Sequence, residues 1–253
     1  MTAAWYEGEK SRLPEDELAR EIDINYALSA RGIVFKEFKD GHILRKPYRV
    51  DQHLKVIRTL DYGKITCCCL FSQKDNFGNI TFFHEIVLLN ESNPTRKLAQ
   101  SVQAYSAELI CAGFADHDDP AGTTDNYVND EETSYKIVQQ YGIRPTHHVS
   151  GASNKRLRNR VEMGRDMLGQ FPEGVPRIRV HESCRYLIDA LQSGYRHKVD
   201  NKTKEVLDEI LEEHPHEDLA DVFGMTLVEE FTVQGKLDIP KRQARHGNRY
   251  TGY

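Results

Sequence analysis

The chain has 253 residues, of which 39% are hydrophobic and 29% charged, and a formal net charge of −5. That length supports one large or two small domains with a sizeable core. No apolar run approaches the ~20 residues of a membrane helix, and the acidic balance confines any nucleic-acid-binding surface to a local patch. MTAAWYEGEKSRLPEDE at the N-terminus lacks the apolar core of a secretory leader. The five cysteines form no CxxC pair, and three of them, Cys67, Cys68 and Cys69, are consecutive. In a strand their side chains alternate between faces, so they are expected to be small buried apolar residues rather than metal ligands.

In chain order, residues 1–30 form an arm that opens a helix at Pro14-Glu15-Asp16-Glu17, a proline followed by acidic first-turn residues. A short strand is predicted over Ile33–Phe38, with a turn at Asp40-Gly41. Residues 1–53 are assigned to this arm and linker. From residue 54 the pattern tightens. One strand runs to about Leu60, a second spans Ile65–Phe71, Lys74–Asn79 turns, and a third spans Ile80–Leu88. Such short connections imply an antiparallel meander. Asn93-Pro94 opens a helix as N-cap and first helical residue, with Leu98, Val102, Tyr105 and Leu109 on one face. Ile110–Ala115 is predicted as the fourth strand, ending at Asp116. A helix between two strands implies a crossover and parallel pairing. An acidic loop follows over 116–130, then a helix at about Glu131–Tyr141 and a fifth strand at Ile143–Val149. Asn154–Leu168 is a basic helix, Arg177–Val180 a short strand and Ser183–Gln192 a helix. Residues 195–212 are charged and expected to be mobile. His216–Phe231 is the last helix, and 236–253 reads as a disordered basic tail after a domain spanning 54–235.

Three acidic sites stand out. Asp61 ends the first strand, where an acid is a poor choice for packing. Asp116 or Asp119 follows the fourth strand. Asp218 and Asp221 begin the last helix, at i, i+3 on one face. Three antiparallel strands followed by strand–helix–strand–helix is the order of a ribonuclease H-like mixed α/β sheet. In that order the first and fourth strands lie side by side in parallel, and ligands collect at the C-terminal edge of such sheets. Converging carboxylates of this kind suit Mg²⁺ or Mn²⁺, and two such ions about 4 Å apart serve phosphodiester hydrolysis. On the basic helix, Lys155, Arg156, Arg158 and Arg160 are candidates for backbone-phosphate contacts.

Over about 14–231 the chain resembles the nuclease domain of the large terminase subunit of tailed phages. The resemblance rests on LPEDELAREIDINYALSARGIVFKEF (13–38), LDYG (60–63), DPAG (119–122) followed by YGIRP (141–145), VPRIRVHESCRYLIDAL (175–191) and EDLADVFGM (217–225). In the last motif Asp221 takes the family's acid position, and Asp218 takes a position often held by His. The DPAG match favours Asp119 as the second acid, whereas the end of the apolar run favours Asp116. The resemblance implies a metal-dependent endodeoxyribonuclease with two Mg²⁺ or Mn²⁺ ions held by Asp61, Asp116 or Asp119, and Asp221, with Asp218 assisting. It implies double-stranded DNA as substrate. The implied partners are a terminase ATPase domain or chain, a portal and a small terminase subunit, in the cytoplasm of an infected bacterium. No GxxxxGK[ST] phosphate loop occurs in the sequence. Two other classes share the pattern: a junction resolvase or transposase-type nuclease, and a non-catalytic packaging or docking module.

Overall fold

The computed structural model describes residues 32–118, 132–146, 157–200, 203 and 205–232. Its main sheet has six strands: β1 (Ile43–Leu44), β2 (Val56–Tyr62), β3 (Thr66–Lys74), β4 (Ile80–Leu89), β5 (Phe114–Asp118) and β6 (Ile178–His181). Their spatial order is β1-β6-β4-β3-β2-β5. The pairs β2/β3 and β3/β4 are antiparallel, whereas β2/β5, β4/β6 and β1/β6 are parallel. This is the mixed sheet expected from the sequence, a meander extended by parallel strands on both sides.

Strand alternation divides the core into two layers. Cys67, Cys69 and Phe71 of β3 join Val56 and Leu60 of β2 against Leu98, Ala99 and Val102 of helix α1 (Pro94–Ala107) and Val138 of helix α2 (Ser134–Gln140). Cys68 and Leu70 face the other way. They join Ile80 and Phe82 against helices α3 (Leu157–Leu168), α4 (Arg185–Asp189) and α5 (His216–Thr232). The consecutive cysteines are therefore core residues on both faces, and all three are fully buried. Burial raises the pKa of each thiol. Their register partners on β2 run Leu60↔Cys69, Asp61↔Cys68 and Tyr62↔Cys67.

Several elements differ from their sequence-based expectation. Residues 33–38 form no strand; Ile33 makes one isolated bridge to Arg196, while Val34, Phe35 and Phe38 plug the α5-side core. The core thus begins inside the stretch assigned to the arm. The fourth strand lies at Phe114–Asp118 rather than Ile110–Ala115. Ile110 is 76% exposed, because Ala112 and Gly113 already bond to β2 and its approach through Ala112 N to Leu54 O (3.0 Å) and Val56 N to Gly113 O (3.0 Å). The chain therefore enters the sheet later than its hydrophobicity suggests. Residues 143–146 form no strand; their backbone instead caps the side of Asp116. Asn93 does precede α1, but in the left-handed region and without a side-chain cap. Finally, 195–212 is structured: β7 (His197–Val199) and β8 (Val206–Ile210) pair antiparallel as a separate two-stranded sheet. The arm 1–31 and the tail 236–253 lie outside the described residues.

α3 and α5 cross at Gly224, where a Cβ would stand 2.6 Å from Arg160 Cβ and 3.3 Å from its Cα. The missing side chain lets α5 seat under α3. Replacing Gly224 with Val is expected to destabilise the fold by about 1–3 kcal/mol, the usual range for overpacking a core contact. Urea denaturation at pH 7 measures it, and a loss below ~0.5 kcal/mol would contradict the close crossing.

Candidate active site

The C-terminal ends of β2 and β5 lie side by side, with Leu60 opposite Asp118. Asp61 is one register step further along β2. It pairs across the sheet with Cys68, whose side chain belongs to the α5-side core, so Asp61 points toward α5. The first turns of α5 carry Glu217, Asp218 and Asp221. Asp61 and Asp218 reach the same place: both push up the thiols of Cys67 and Cys68, which burial has already raised. The β2–β3 turn is shaped around this approach. A Cβ on Gly63 would collide with the Thr66 carbonyl oxygen and stand 3.6 Å from Asp218 Oδ1. The sequence expectation that the end of the first strand meets the start of the last helix is thus met for Asp61 and Asp218.

Two acids of α5 have a basic neighbour from another segment. Arg160 Nη1 donates to Asp221 Oδ2 at 2.9 Å. His214 Nδ1 stands 2.7 Å from Asp218 Oδ2, and this bond raises the His214 pKa. The sequence pattern does not single out Glu217, although it adjoins Asp218 in the EDLAD run. Its carboxyl is pushed up to about 7, first by partial burial and then by the charges of Asp221, Asp218 and Glu212. The N-terminal end of α5 therefore concentrates more negative charge than its helix dipole offsets. Hard oxygen donors, negative potential and a glycine-cleared approach fit Mg²⁺ or Mn²⁺. Among the described residues, no three His, Cys, Asp or Glu side chains stand close enough together to hold a metal ion.

The second acidic site separates into three aspartates with different surroundings. Asp116 is buried and bonded through both carboxylate oxygens: Arg58 Nε donates to Oδ1 at 2.6 Å and Nη2 to Oδ2 at 2.8 Å. Oδ2 also accepts the Arg144 backbone N–H at 2.7 Å. Asp118, which the sequence pattern passes over because the apolar run ends before it, accepts the Tyr62 hydroxyl at 3.0 Å. Asp116 and Asp118 share the α1 side of the sheet with Arg58 and Tyr62. His117, between them, faces α5, with Nε2 3.1 Å from Glu230 Oε1. Asp119 lies outside the described residues, as do Lys155 and Arg156. Of the other basic candidates, Arg158 is exposed and pairs with Glu162 at 2.7 Å. Arg160 differs from expectation. It is 5% exposed, turned inward to Asp221 rather than outward to solvent.

Against known structures, the P22 large terminase nuclease domain superposes with a TM-score of 0.59 at 12% identity, covering 80% of this chain and 95% of that one. The chain has the fold of phage large-terminase nuclease domains. The large terminase nuclease from thermophilic phage G20c gives a TM-score of 0.51 at 14% identity, over 78% of this chain and 96% of that one. The large terminase of a second thermophilic bacteriophage gives 0.58 at 16%, over 79% of this chain but only 46% of that longer chain. No protein-family model and no curated protein matches the sequence. No helix among the described residues is long and apolar enough to cross a membrane.

The charge cluster makes a pH prediction. Glu217 has an ordinary carboxyl value of 4.5 when unfolded and about 7 when folded. Between those values the folded state holds the extra proton, so stability falls as pH rises through that window. Glu217→Gln removes the repulsion. The variant is expected to exceed wild type in metal-free stability at pH 8 and to match it below pH 4.5, as read by urea denaturation across that range. A difference independent of pH would rule out the clustered charge as its cause.

Proposed function

We propose that this chain is a metal-dependent DNA endonuclease domain of a phage large terminase, cutting concatemeric viral DNA during packaging. The observation that carries this reading is the meeting of Asp61, at the C-terminal end of β2, with the acidic first turns of α5, in a sheet of terminase-nuclease fold.

In this reading Asp61, Asp119 and Asp221 hold two Mg²⁺ or Mn²⁺ ions, with Asp218 beside them. Asp116 is the alternative to Asp119. Its carboxylate is engaged by Arg58 and the Arg144 amide, which favours Asp119. His117, two residues before Asp119, faces α5, the side on which Asp61 lies. Bound there, the ions would supply an activated water and charge neutralisation at the scissile phosphodiester. The protein's share is to hold the carboxylates together against their mutual repulsion and to align the DNA backbone. Arg158, with Lys155 and Arg156 earlier in the basic run, would contact phosphates without reading sequence. Arg160 would first have to release Asp221, or share it. The reading takes double-stranded DNA as substrate. It takes an ATPase domain or chain, a portal and a small terminase subunit as partners in the host cytoplasm. The arm 1–53 would lead from the ATPase and 236–253 would be a tail.

Supercoiled-plasmid cleavage with Mn²⁺ or Mg²⁺ tests the assignment. Wild type is expected to nick and linearise the plasmid. Asp61→Ala, Asp119→Ala and Asp221→Ala are each expected to lose at least ~100-fold in rate, as removal of a group acting directly at the reaction centre does. Full activity in Asp61→Ala would overturn the site, and full activity in Asp119→Ala alone would return the second acid to Asp116. Preference for a four-way junction over plasmid duplex would move the protein to the resolvase class. A folded wild type with neither cleavage nor a Mn²⁺-induced thermal shift would make it a docking module.

A further inference from the structure

The Arg58–Asp116 pair is more than is needed to hold two strands together. Arg58 is 3% exposed and Asp116 6%. They are Cα register partners on β2 and β5, joined by two parallel bonds. The third guanidinium nitrogen, Nη1, donates to Ser106 on α1 at 3.0 Å, and the guanidinium lies over the Phe114 ring, 4.1 Å from its centroid. Asp116 also gathers the segment that follows α2. Its side chain accepts the Arg144 N–H, and its backbone oxygen accepts the Thr146 N–H at 2.9 Å. One residue pair therefore joins β2, β5, α1 and residues 144–146.

A buried ion pair of this kind is a poor device for stability alone. Apolar residues of similar volume commonly match or exceed it, whereas breaking the pair from one side is costly because it strands a buried charge. Its distinctive property is that it tolerates one register only. β5 needs such a device: it has five residues, lies at the edge of the sheet and pairs only with β2. A slip of one residue would turn every β5 side chain to the opposite face. It would also separate Asp116 from Arg58. Asp116 lies two residues before Asp118, and Arg58 three before Asp61, about 7–10 Å from the acidic edge at ~3.3 Å per residue.

We propose that Arg58 and Asp116 are a positioning pair. They set the depth at which β5 delivers its C-terminal acids beside Asp61, and so set the affinity of the edge for a divalent cation. This inference rests on the reading of that edge as a metal site.

The test uses the whole chain and isothermal titration with Mn²⁺, with two variants. Arg58→Met/Asp116→Leu removes both charges at similar volume. Arg58→Lys keeps the charge but loses the two-pronged fork. Both are expected to keep cooperative thermal unfolding, and both are expected to bind Mn²⁺ roughly 10–100-fold more weakly than wild type, the range seen when groups supporting metal ligands are removed. Amide hydrogen exchange is expected to quicken in β5 and not in β4. A folded variant of either kind with wild-type Mn²⁺ affinity would overturn the positioning role while leaving the metal site intact. Should the double variant not fold, Arg58→Lys decides alone by the same criterion. Wild type that binds no Mn²⁺ at millimolar concentration would instead overturn the metal-site reading, and the positioning role with it.

Discussion

The molecule depends on β2 being held from three sides at once. It is hydrogen-bonded to β3 on one side and β5 on the other, and α5 lies against the face that carries Thr59 and Asp61. Two polar residues in its buried middle make these attachments specific. Arg58 grips Asp116 of β5, and Thr59 accepts a 2.8 Å hydrogen bond from Thr226 of α5. Buried polar groups persist only where they are bonded, so each contact fixes its neighbour's position along the strand. The segments that carry the acidic residues are thereby referred to one strand.

That arrangement sets the electrostatics of the edge. An acid near the end of a strand is tolerable when its side chain emerges beside a helix N-terminus, where backbone N–H groups and the dipole favour negative charge. The first turns of α5 present three acids of their own, however, and the chain answers with Arg160 from α3 and His214 from the preceding turn. Glu217 shows the balance is incomplete, since its carboxyl remains protonated well above the ordinary carboxylate range. A divalent cation is the kind of charge that would relieve such a cluster, and Arg160 holds Asp221 in the same interval of space.

The strands with apolar alternation were legible in the sequence: β2, β3 and β4 lie where the pattern puts them, and Asp61 and α5 follow from them. β5 was misplaced because its residues, FADHD, carry no apolar signature. Asp116, His117 and Asp118 are nonetheless all buried, each bonded to a partner from another element: Arg58, Glu230 and Tyr62. Ile110, by contrast, is apolar and exposed. The β7–β8 hairpin was hidden for a similar reason. Its β8 strand, VLDEI, is largely exposed, and a two-stranded ribbon with one weakly buried face leaves little alternation to read. The resemblance in DPAG pointed past Asp116, yet the physical reason for looking past it, a guanidinium 58 positions earlier in sequence, is visible only in three dimensions.

The acidic run DHDD therefore contains residues of opposite kind. Asp116 has given both oxygens to a guanidinium and an amide, and Asp118 holds a tyrosine hydroxyl beneath the sheet. Asp61, on β2, turns its carboxylate to the partly exposed edge facing α5. Neutralised aspartates deep in the parallel pair secure the geometry, and those at its end would use it. Sequence composition cannot separate the two, because the distinction lies in the partner rather than in the residue. The same holds on α3, where Arg158 and Arg160 are two residues apart on a basic helix. One reaches solvent; the other, pressed against Gly224, turns inward to Asp221. A helix selected only for phosphate contacts would have no need of the inward arginine. Its presence ties the helix proposed to face DNA mechanically to the acid it would serve, so that a displacement of α3 by a bound backbone would be felt first at Asp221.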